Sequence, residues 1–317
     1  MKNFKIDLLS KIAKYSAFAL KGADYFLSKP IINDEKKILF IVGVPRSGST
    51  ILYQVLTNYL DVLYFDNLAH LFNRNLLFGM WLSNKKFKSG PHNCYRSIHG
   101  STMDWGLHAP SEAGPFWRRM LPGKDHFLTN EEIETLKSEK IKNNLDPLMA
   151  KYRKPLIIKN LVLSQRLKIV AKLYPQAKIV FLKRNPLDNA KSIYKARQSL
   201  AVKKGEWWSV KPKNYKDLLA LDEPELVVKQ IYYIEKQIME DLSLFPEKNI
   251  SFLQYDECLS DGFKKTVINI KETLGAVNFK TDYKQMEIEP RKSTEVTELS
   301  SRLNEEIGKL DWVNYGN

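Results

Sequence analysis

The residues from Gly43 to Thr50 have the types and spacing of a loop that binds phosphate. They read Gly-Val-Pro-Arg-Ser-Gly-Ser-Thr, follow an apolar run and precede a helical pattern. Backbone N–H groups in such a loop, together with the positive end of the next helix, converge on an anion. Nucleoside triphosphatases place a lysine at the position of Ser49, whereas here the cation is Arg46, inside the loop. The pattern therefore predicts phosphate binding without ATP hydrolysis.

A second set of polar side chains follows a later apolar run, 178–182. Arg184 stands where this predicted strand ends, and Ser192 lies on the helix that Pro186 begins. Ligands bind at the carboxyl ends of strands in open parallel sheets, and an arginine with a nearby hydroxyl suits a phosphate dianion. Either residue alone is commonly an ordinary surface residue, so the prediction of a second phosphate site depends on the first loop.

The elements that must position these residues alternate between strands and helices. Unbroken apolar runs are typical of strands buried on both faces of a parallel sheet, and they occur at 38–42, 156–159, 178–182 and 250–255. Helical patterns begin near residue 49 and cover about 130–152, 164–173, 187–197, 224–243 and 261–274. Residues 61–130 show little periodicity and are predicted to be irregular segments around a cleft. The expected fold class is therefore α/β, a parallel sheet flanked by helices, with a P-loop-like loop after the first strand.

In order and spacing, the two motifs resemble those of the sulfotransferase superfamily, over about residues 38–275. The family's 5′-phosphosulfate loop has a proline, a lysine or arginine, a serine, a glycine and two hydroxyl residues, matched here by Pro45, Arg46, Ser47, Gly48, Ser49 and Thr50. Its 3′-phosphate motif is matched by Arg184-Asn185-Pro186-Leu187-Asp188 and Ser192. The segment Tyr255-Asp256-Glu257-Cys258-Leu259 is similar to a later family segment, whose tyrosine implies a contact near the adenine.

This resemblance implies sulfuryl transfer from 3′-phosphoadenosine 5′-phosphosulfate (PAPS) to an acceptor hydroxyl or amine. The loop, Arg184, Ser192 and Tyr255 would bind the donor, and Arg46 would stabilise the charge that builds on the leaving 5′-phosphate. No metal is required, and no Cys/His cluster has metal spacing. The family's late nucleotide-wrapping segment is represented only by a fragment, Arg291-Lys292-Ser293, to which we assign no role.

The segment Trp105–Arg119, rich in tryptophan, proline and glycine, contains the candidate bases. Glu112 is similar to the acidic base of bacterial and carbohydrate sulfotransferases. His108 is the alternative, since cytosolic members of the family use a histidine. A purely structural role for Glu112 would be an ion pair with Arg118 or Arg119.

The charge balance bears on the acceptor and on the competing interpretations. Lys and Arg number 50 against 36 Asp and Glu, a net charge of +14, which favours anionic partners. Aromatic residues do not interleave with the basic ones as base stacking requires, so nucleic acid is not an expected partner. We expect a carbohydrate or glycolipid acceptor, with small phenols, lipids and protein tyrosines as open alternatives. The alternatives are a P-loop small-molecule kinase and a non-catalytic protein that binds nucleotides or glycans.

The N-terminal residues 1–35 form a basic amphipathic segment, and residues 36–317 are expected to form one sulfotransferase domain. Apolar residues recur at helical spacing at Phe4, Leu8, Ile12, Tyr15, Ala19 and Ala23, among lysines at 2, 5, 11, 14 and 21. This helix would either contact an anionic membrane or pack on the domain. Two distant cysteines, Cys94 and Cys258, and the lack of a signal or spanning segment predict a cytoplasmic protein, with possible contact at the inner membrane face. The oligomeric state is not predicted.

Overall fold

The computed structural model describes residues 4–28, 37–121, 123, 125–275, 277–282 and 297–312. In this part of the chain one sheet contains four parallel strands, β1 (Ile38–Gly43), β2 (Leu156–Lys159), β3 (Lys178–Lys183) and β4 (Ile250–Gln254), in the order β2-β1-β3-β4. After β2 the chain crosses to the opposite side of β1 to form β3. The carboxyl ends of β1 and β3 therefore border a topological switch point, where parallel sheets bind ligands.

The sheet is buried on both faces, as the unbroken apolar runs predicted. On one face Phe40 and Phe181 join a core cluster with Phe116, whereas on the other Ile41 packs in a cluster with Leu56. Every residue of β1 and β2 is buried, whereas β4, at the edge, is only partly covered. The predicted fold class, a parallel sheet flanked by helices, is confirmed.

Helices cover both faces of the sheet, and further helices lie near both ends of the chain. Those before β2 are α1 (Phe4–Tyr15), α2 (Lys21–Leu27), α3 (Ser49–Tyr59), α4 (Asn67–Leu71), α5 (Leu76–Phe87), α6 (Gly114–Met120), α7 (Asn130–Thr135) and α8 (Glu139–Tyr152). Those that follow are α9 (Leu167–Leu173), α10 (Pro186–Ser199), α11 (Tyr215–Leu218), α12 (Glu223–Leu242), α13 (Tyr255–Ser260), α14 (Lys264–Leu274) and α15 (Thr297–Gly308). Short 3-10 turns occur at Met103–Trp105, Leu161–Gln165 and Glu247–Asn249.

Residues 61–130 are less irregular than the sequence predicted, because they contain α4, α5 and α6. Helix α5 explains why the prediction was wrong. Residues 76–78 and 80–82 are all apolar, so apolar side chains lie on more than one side of the helix and no single stripe marks its buried face, which carries Leu76, Leu77, Gly79 and Met80. Just before the segment that begins at Tyr255, β4 ends at Gln254 and the chain turns directly into α13. The predicted strand, 250–255, was therefore one residue too long.

The N-terminal segment forms two helices rather than one, and both pack on the rest of the protein. Helix α1 contacts α4, and α2 contacts α5. None of the helices in the described ranges has the length and apolar character needed to cross a bilayer. Arg291 and Lys292 lie outside the described residues.

Candidate active site

The loop between β1 and α3 is held in place by two other parts of the chain. Gly43 donates its backbone N–H to Ser164 Oγ at 3.1 Å, and Asn189 Nδ2 donates to the Pro45 carbonyl at 2.8 Å. The loop turns sharply because Arg46 and Gly48 both have left-handed backbone angles, with φ of 68° and 94°. Helix α3 then starts immediately after Gly48, so its positive end lies at the loop, as phosphate binding requires.

Gly48 is required sterically as well as conformationally. A Cβ at this position would lie 2.2 Å from Cδ2 of the Tyr255 ring. We therefore expect Gly48→Ala to displace Tyr255 and to lower the affinity for adenosine 3′,5′-bisphosphate by about tenfold or more, which calorimetric titration measures.

Gly205→Ala is the matched control, because Gly205 also has a positive φ, 82°, and a Cβ there would meet nothing within 4 Å. Both variants share the backbone strain and should lose some thermal stability, but only Gly48→Ala should lose affinity. An equal loss of affinity in the two variants would show that the contact with Tyr255 is not the cause.

The second motif contacts the first directly. Arg46 Nε donates to Ser192 Oγ at 3.1 Å, although the two residues are 146 positions apart. Arg184 leaves the end of β3, donates from NH1 to the Arg46 carbonyl at 3.2 Å, and lies over the Tyr255 ring at 5.1 Å. Asn185 caps the start of α10, which carries Ser192. Loop, strand end and helix thus form a single site.

Two hydrogen-bond donors of this site are buried without a partner. Neither Ser47 Oγ nor Arg184 Nε has one among the described residues, and Ser47 is fully buried. An unsatisfied buried donor costs about 1–3 kcal/mol, so such atoms indicate a missing acceptor. Arg184 lines the cleft, where phosphate oxygens would accept hydrogen bonds from its guanidinium group, whereas Ser47 does not line it. The residues present therefore fit an anionic, phosphate-bearing ligand.

Glu112 is connected to the loop through a buried lysine. Lys159, at the end of β2, is only 2% exposed, and its ammonium forms an ion pair with Glu112 Oε1 and donates to Thr50 Oγ1 at 3.0 Å. Asn160 Nδ2 donates to the Glu112 carbonyl at 3.0 Å, which fixes the backbone of the base candidate. The Glu112 side chain itself is 32% exposed and lines the cleft.

The sequence had suggested Arg118 or Arg119 as the ionic partner of Glu112, and this is wrong. The partner is Lys159, because the strand order places the end of β2 beside β1 and its loop. Arg119 instead donates to the Asn73 side chain at 2.9 Å and to its carbonyl. Arg118 lines the cleft.

A cleft of about 1280 Å³ opens over these groups. Among the described residues that line the cleft, cationic side chains outnumber carboxylates. The cations are Arg46, Arg96, Arg118, Lys159, Arg184, Lys191 and Lys195, and the carboxylates are Glu112, Asp188 and Asp256. Trp105 and Trp208 add aromatic surface, and Trp208 meets His99 edge to face at 6.2 Å. The cleft is therefore suited to an anionic ligand with a flat face.

His108 lies elsewhere and does not line this cleft. Its Nε2 is 2.9 Å from the Tyr64 hydroxyl, and its ring stacks on Phe87 at 4.1 Å. Burial, together with the nearby Lys280, lowers the pKa of His108 to about 4. The structure thus brings together Glu112 and the predicted donor-binding residues, with Ser47 buried beneath the loop, but it keeps His108 apart from them.

Several residues of the site were missed in the sequence. Ser164 supports the loop from a distance and nothing local marks it, whereas Asn189 lies within the second motif, between Asp188 and Ser192. Lys191 and Lys195 could have been found, because they lie within one turn of Ser192 on α10 and line the same cleft.

The cysteines and the possible metal ligands form no further centre in the described part of the chain. Cys94 and Cys258 are both buried and form no disulfide. Among the described residues, no group of three or more His, Cys, Asp or Glu side chains is arranged to hold a metal ion.

Comparison with known proteins places the chain in a family. A family model described as "Sulfotransferase family" matches residues 39–276, more than half of the chain and both motifs with Glu112. Similar solved structures include sulfotransferases from Mycobacterium avium (14% identity, 93% of this chain, 72% of that chain, TM-score 0.49), Mycobacterium tuberculosis H37Rv (14%, 84%, 72%, 0.49) and Alicyclobacillus acidocaldarius (18%, 87%, 97%, 0.41). A search of curated proteins found no match. The extent of the family match decides the assignment: the chain belongs to the sulfotransferase family.

Proposed function

We propose that the protein transfers a sulfuryl group from PAPS to a hydroxyl or amine of a carbohydrate or glycolipid. The family implies sulfuryl transfer. The observation that supports this donor is the direct contact between the two motifs, through Arg46 and Ser192 and through Arg184 and the Arg46 carbonyl. PAPS carries two separate phosphate groups on one nucleoside, and a cleft with two adjoining cationic elements matches that arrangement.

In this proposal a different part of the site binds each phosphate group of PAPS. The loop amides, Arg46 and the start of α3 bind the 5′-phosphosulfate, whereas Arg184 and Ser192 bind the 3′-phosphate. Tyr255 lies beneath the Arg184 guanidinium and against Gly48, next to both elements. We assign its ring to a contact near the adenine.

The chemical step is an in-line displacement. The acceptor oxygen or nitrogen forms a bond to sulfur while the bond between sulfur and the bridging 5′-phosphate oxygen breaks, releasing adenosine 3′,5′-bisphosphate. The acceptor proton passes to the Glu112 carboxylate. Because Oε1 accepts from Lys159, Oε2 is the oxygen that we assign to receive this proton. Arg46 stabilises the negative charge that develops on the leaving phosphate.

Lys159 has a positioning role in this scheme. Its ammonium contacts both Glu112 and Thr50, so it sets the distance between the base and the donor loop. Since a buried ammonium is stable only when paired, removal of either partner would be costly. Lys159 also places a positive charge at the loop. In triphosphatases, a lysine at the position of Ser49 supplies such a charge.

The acceptor side of the cleft supports a carbohydrate or glycolipid. Trp105 and Trp208 offer flat faces, and Arg96 and Arg118 add positive charge to the cleft that Glu112 also lines. An acceptor with a sugar ring and an anionic substituent would use both features.

Calorimetric titration with adenosine 3′,5′-bisphosphate, compared with ATP and Mg²⁺, tests the donor class. We expect micromolar or tighter binding of the bisphosphate and at least about tenfold weaker binding of ATP, because no lysine at position 49 partners the β- and γ-phosphates. The reverse preference would contradict the donor assignment and support a kinase. Bisphosphate binding without turnover of PAPS on any acceptor would instead support a non-catalytic binding protein.

A further inference from the structure

The N-terminal helices expose large apolar side chains to solvent. Six of the twelve exposed large apolar side chains in the described part of the chain lie between residues 8 and 26: Leu8, Ile12, Tyr15, Phe18, Tyr25 and Phe26. Tyr15 and Phe18 are 80% and 81% exposed. Single exposed apolar residues are ordinary, but a concentration within one short segment indicates an interaction surface.

The same helices do pack on the protein, through a different face. Ala13 is 3% exposed and lies in an apolar cluster with Leu68 and Phe72. Asp24 Oδ1 accepts a hydrogen bond from the Phe78 N–H at 2.8 Å, which attaches α2 to α5. Leu20 and Leu27 also pack against the core, so the helices bury one side and expose the other, which carries the six residues named above.

The exposed face is continuous across the turn between α1 and α2. Ser16 N–H donates to the Ile12 carbonyl at 2.9 Å and Leu20 N–H to the Ser16 carbonyl at 3.0 Å, which continues the helical spacing. Residues three or four apart on a helix share a side. Leu8, Ile12, Tyr15 and Phe18 therefore form one apolar strip, although no element spans all of 4–27.

Positive charge borders this strip. Lys11, Lys14 and Lys21 are exposed, and the ammonium groups of Lys14 and Lys21 lie 5.9 and 5.0 Å from the Tyr15 and Phe18 rings. The acidic residues of this segment are Asp7, which is exposed, and Asp24, which is bonded to the protein. Aromatic and aliphatic residues flanked by lysines are the composition of helices that lie in the surface of an anionic bilayer.

We propose that the protein binds an anionic lipid bilayer through its N-terminal surface, formed by Leu8, Lys11, Ile12, Lys14, Tyr15, Phe18 and Lys21. The apolar side chains enter the acyl boundary and the lysines remain at the headgroups. A second copy of the chain would cover the apolar strip, but it would bring the lysines of two basic chains together. Charge complementarity therefore favours the bilayer.

The position of this surface is relevant to the acceptor. The apolar cluster that holds α1 also includes Leu107, from the segment between the cleft residues Trp105 and Glu112. A bilayer bound at the N-terminal surface would thus be connected by direct packing to the acceptor side of the cleft. Within the proposed function, this favours a lipid-linked acceptor over a free sugar. The lipid-binding proposal itself does not depend on the transferase activity.

Co-sedimentation of the full chain with vesicles tests the proposal. We expect binding to phosphatidylcholine vesicles that contain about one third phosphatidylserine, and weaker binding to phosphatidylcholine alone or in high salt. Tyr15→Ser combined with Phe18→Ser should lower the vesicle affinity about tenfold or more. Lys14→Glu combined with Lys21→Glu should do the same. These exposed positions should leave the thermal unfolding midpoint nearly unchanged.

Two matched double variants control for general effects. Leu244→Ser with Ile268→Ser removes two other exposed apolar side chains, and Lys264→Glu with Lys265→Glu makes the same change in net charge elsewhere. Both should keep the vesicle affinity of the native chain within about twofold, since neither pair belongs to the proposed surface. Equal losses in the control and test variants would overturn the proposal. It would also fail if the native chain were a dimer that Tyr15→Ser with Phe18→Ser converts to a monomer.

Discussion

Glu112→Gln is expected to lower the rate of sulfuryl transfer about 10²- to 10⁴-fold, the range for loss of a general base. The amide keeps the shape of the carboxylate and can still accept a hydrogen bond from Lys159, but it cannot take the acceptor proton. Affinity for adenosine 3′,5′-bisphosphate should stay within about twofold, because donor binding is assigned to the loop and Arg184. Transfer of labelled sulfate and calorimetric titration measure the two quantities.

The variant also leaves Lys159 buried without its counter-ion, so some loss of stability is expected, about 1–3 kcal/mol. Glu112→Gln combined with Lys159→Met removes both charges and should recover part of that stability without restoring transfer. This combination separates loss of the base from partial unfolding. Glu257→Gln, an exposed carboxylate on α13, makes the same change in charge outside the cleft and should leave transfer unchanged.

Retention of transfer by Glu112→Gln would contradict the assignment of the base. His108→Asn would then be the next variant, although the structure places His108 against Tyr64 and Phe87 rather than in the cleft. If Glu112 is the base, His108→Asn should keep transfer within about tenfold and act mainly through stability.

Arg184→Ala should weaken the binding of adenosine 3′,5′-bisphosphate about 10- to 100-fold and the binding of AMP only a few-fold, because a charge-assisted hydrogen bond contributes about 1.5–3 kcal/mol. AMP has no 3′-phosphate, so it loses only the indirect support that Arg184 gives to Arg46 and Tyr255. Titration of both nucleotides against the same preparations gives the ratio directly.

Two further variants sharpen this comparison. Arg184→Lys keeps the charge but loses the planar fork and the unsatisfied Nε, so an intermediate loss is expected for the bisphosphate. Arg74→Ala removes an exposed arginine outside the cleft and should change neither affinity. Equal losses for AMP and the bisphosphate in Arg184→Ala would assign Arg184 to support of the loop rather than to the 3′-phosphate.

Much of the fold could be predicted from the sequence because its strands are buried on both faces. Because every position of β1 and β2 is buried, each residue there must be apolar or have a polar partner. The apolar runs at 38–42 and 156–159 therefore predicted strands without knowledge of the neighbouring strands. Helix α5 was missed because its apolar residues, 76–78 and 80–82, lie on more than one side, so no stripe marks the face that is buried. The start of α13 at Tyr255 was missed because β4 continues into it without a turn residue.

The sequence by itself predicted two candidate phosphate-binding elements, a glycine loop that contains Arg46 and an Arg184–Ser192 pair after a later strand. Both are local patterns whose spacing follows from the geometry of strands and helices. Only the tertiary structure decided what lies beside Glu112. The sheet order places β2 next to β1, and this brings Lys159 to a residue 47 positions earlier in the chain. It likewise decided which face of the N-terminal helices is covered, because 6–20 is apolar on more than one side and packing against α4 selects the side of Ala13. Local spacing specifies which residues share a face, but contact between distant faces depends on how the whole chain buries its apolar surface.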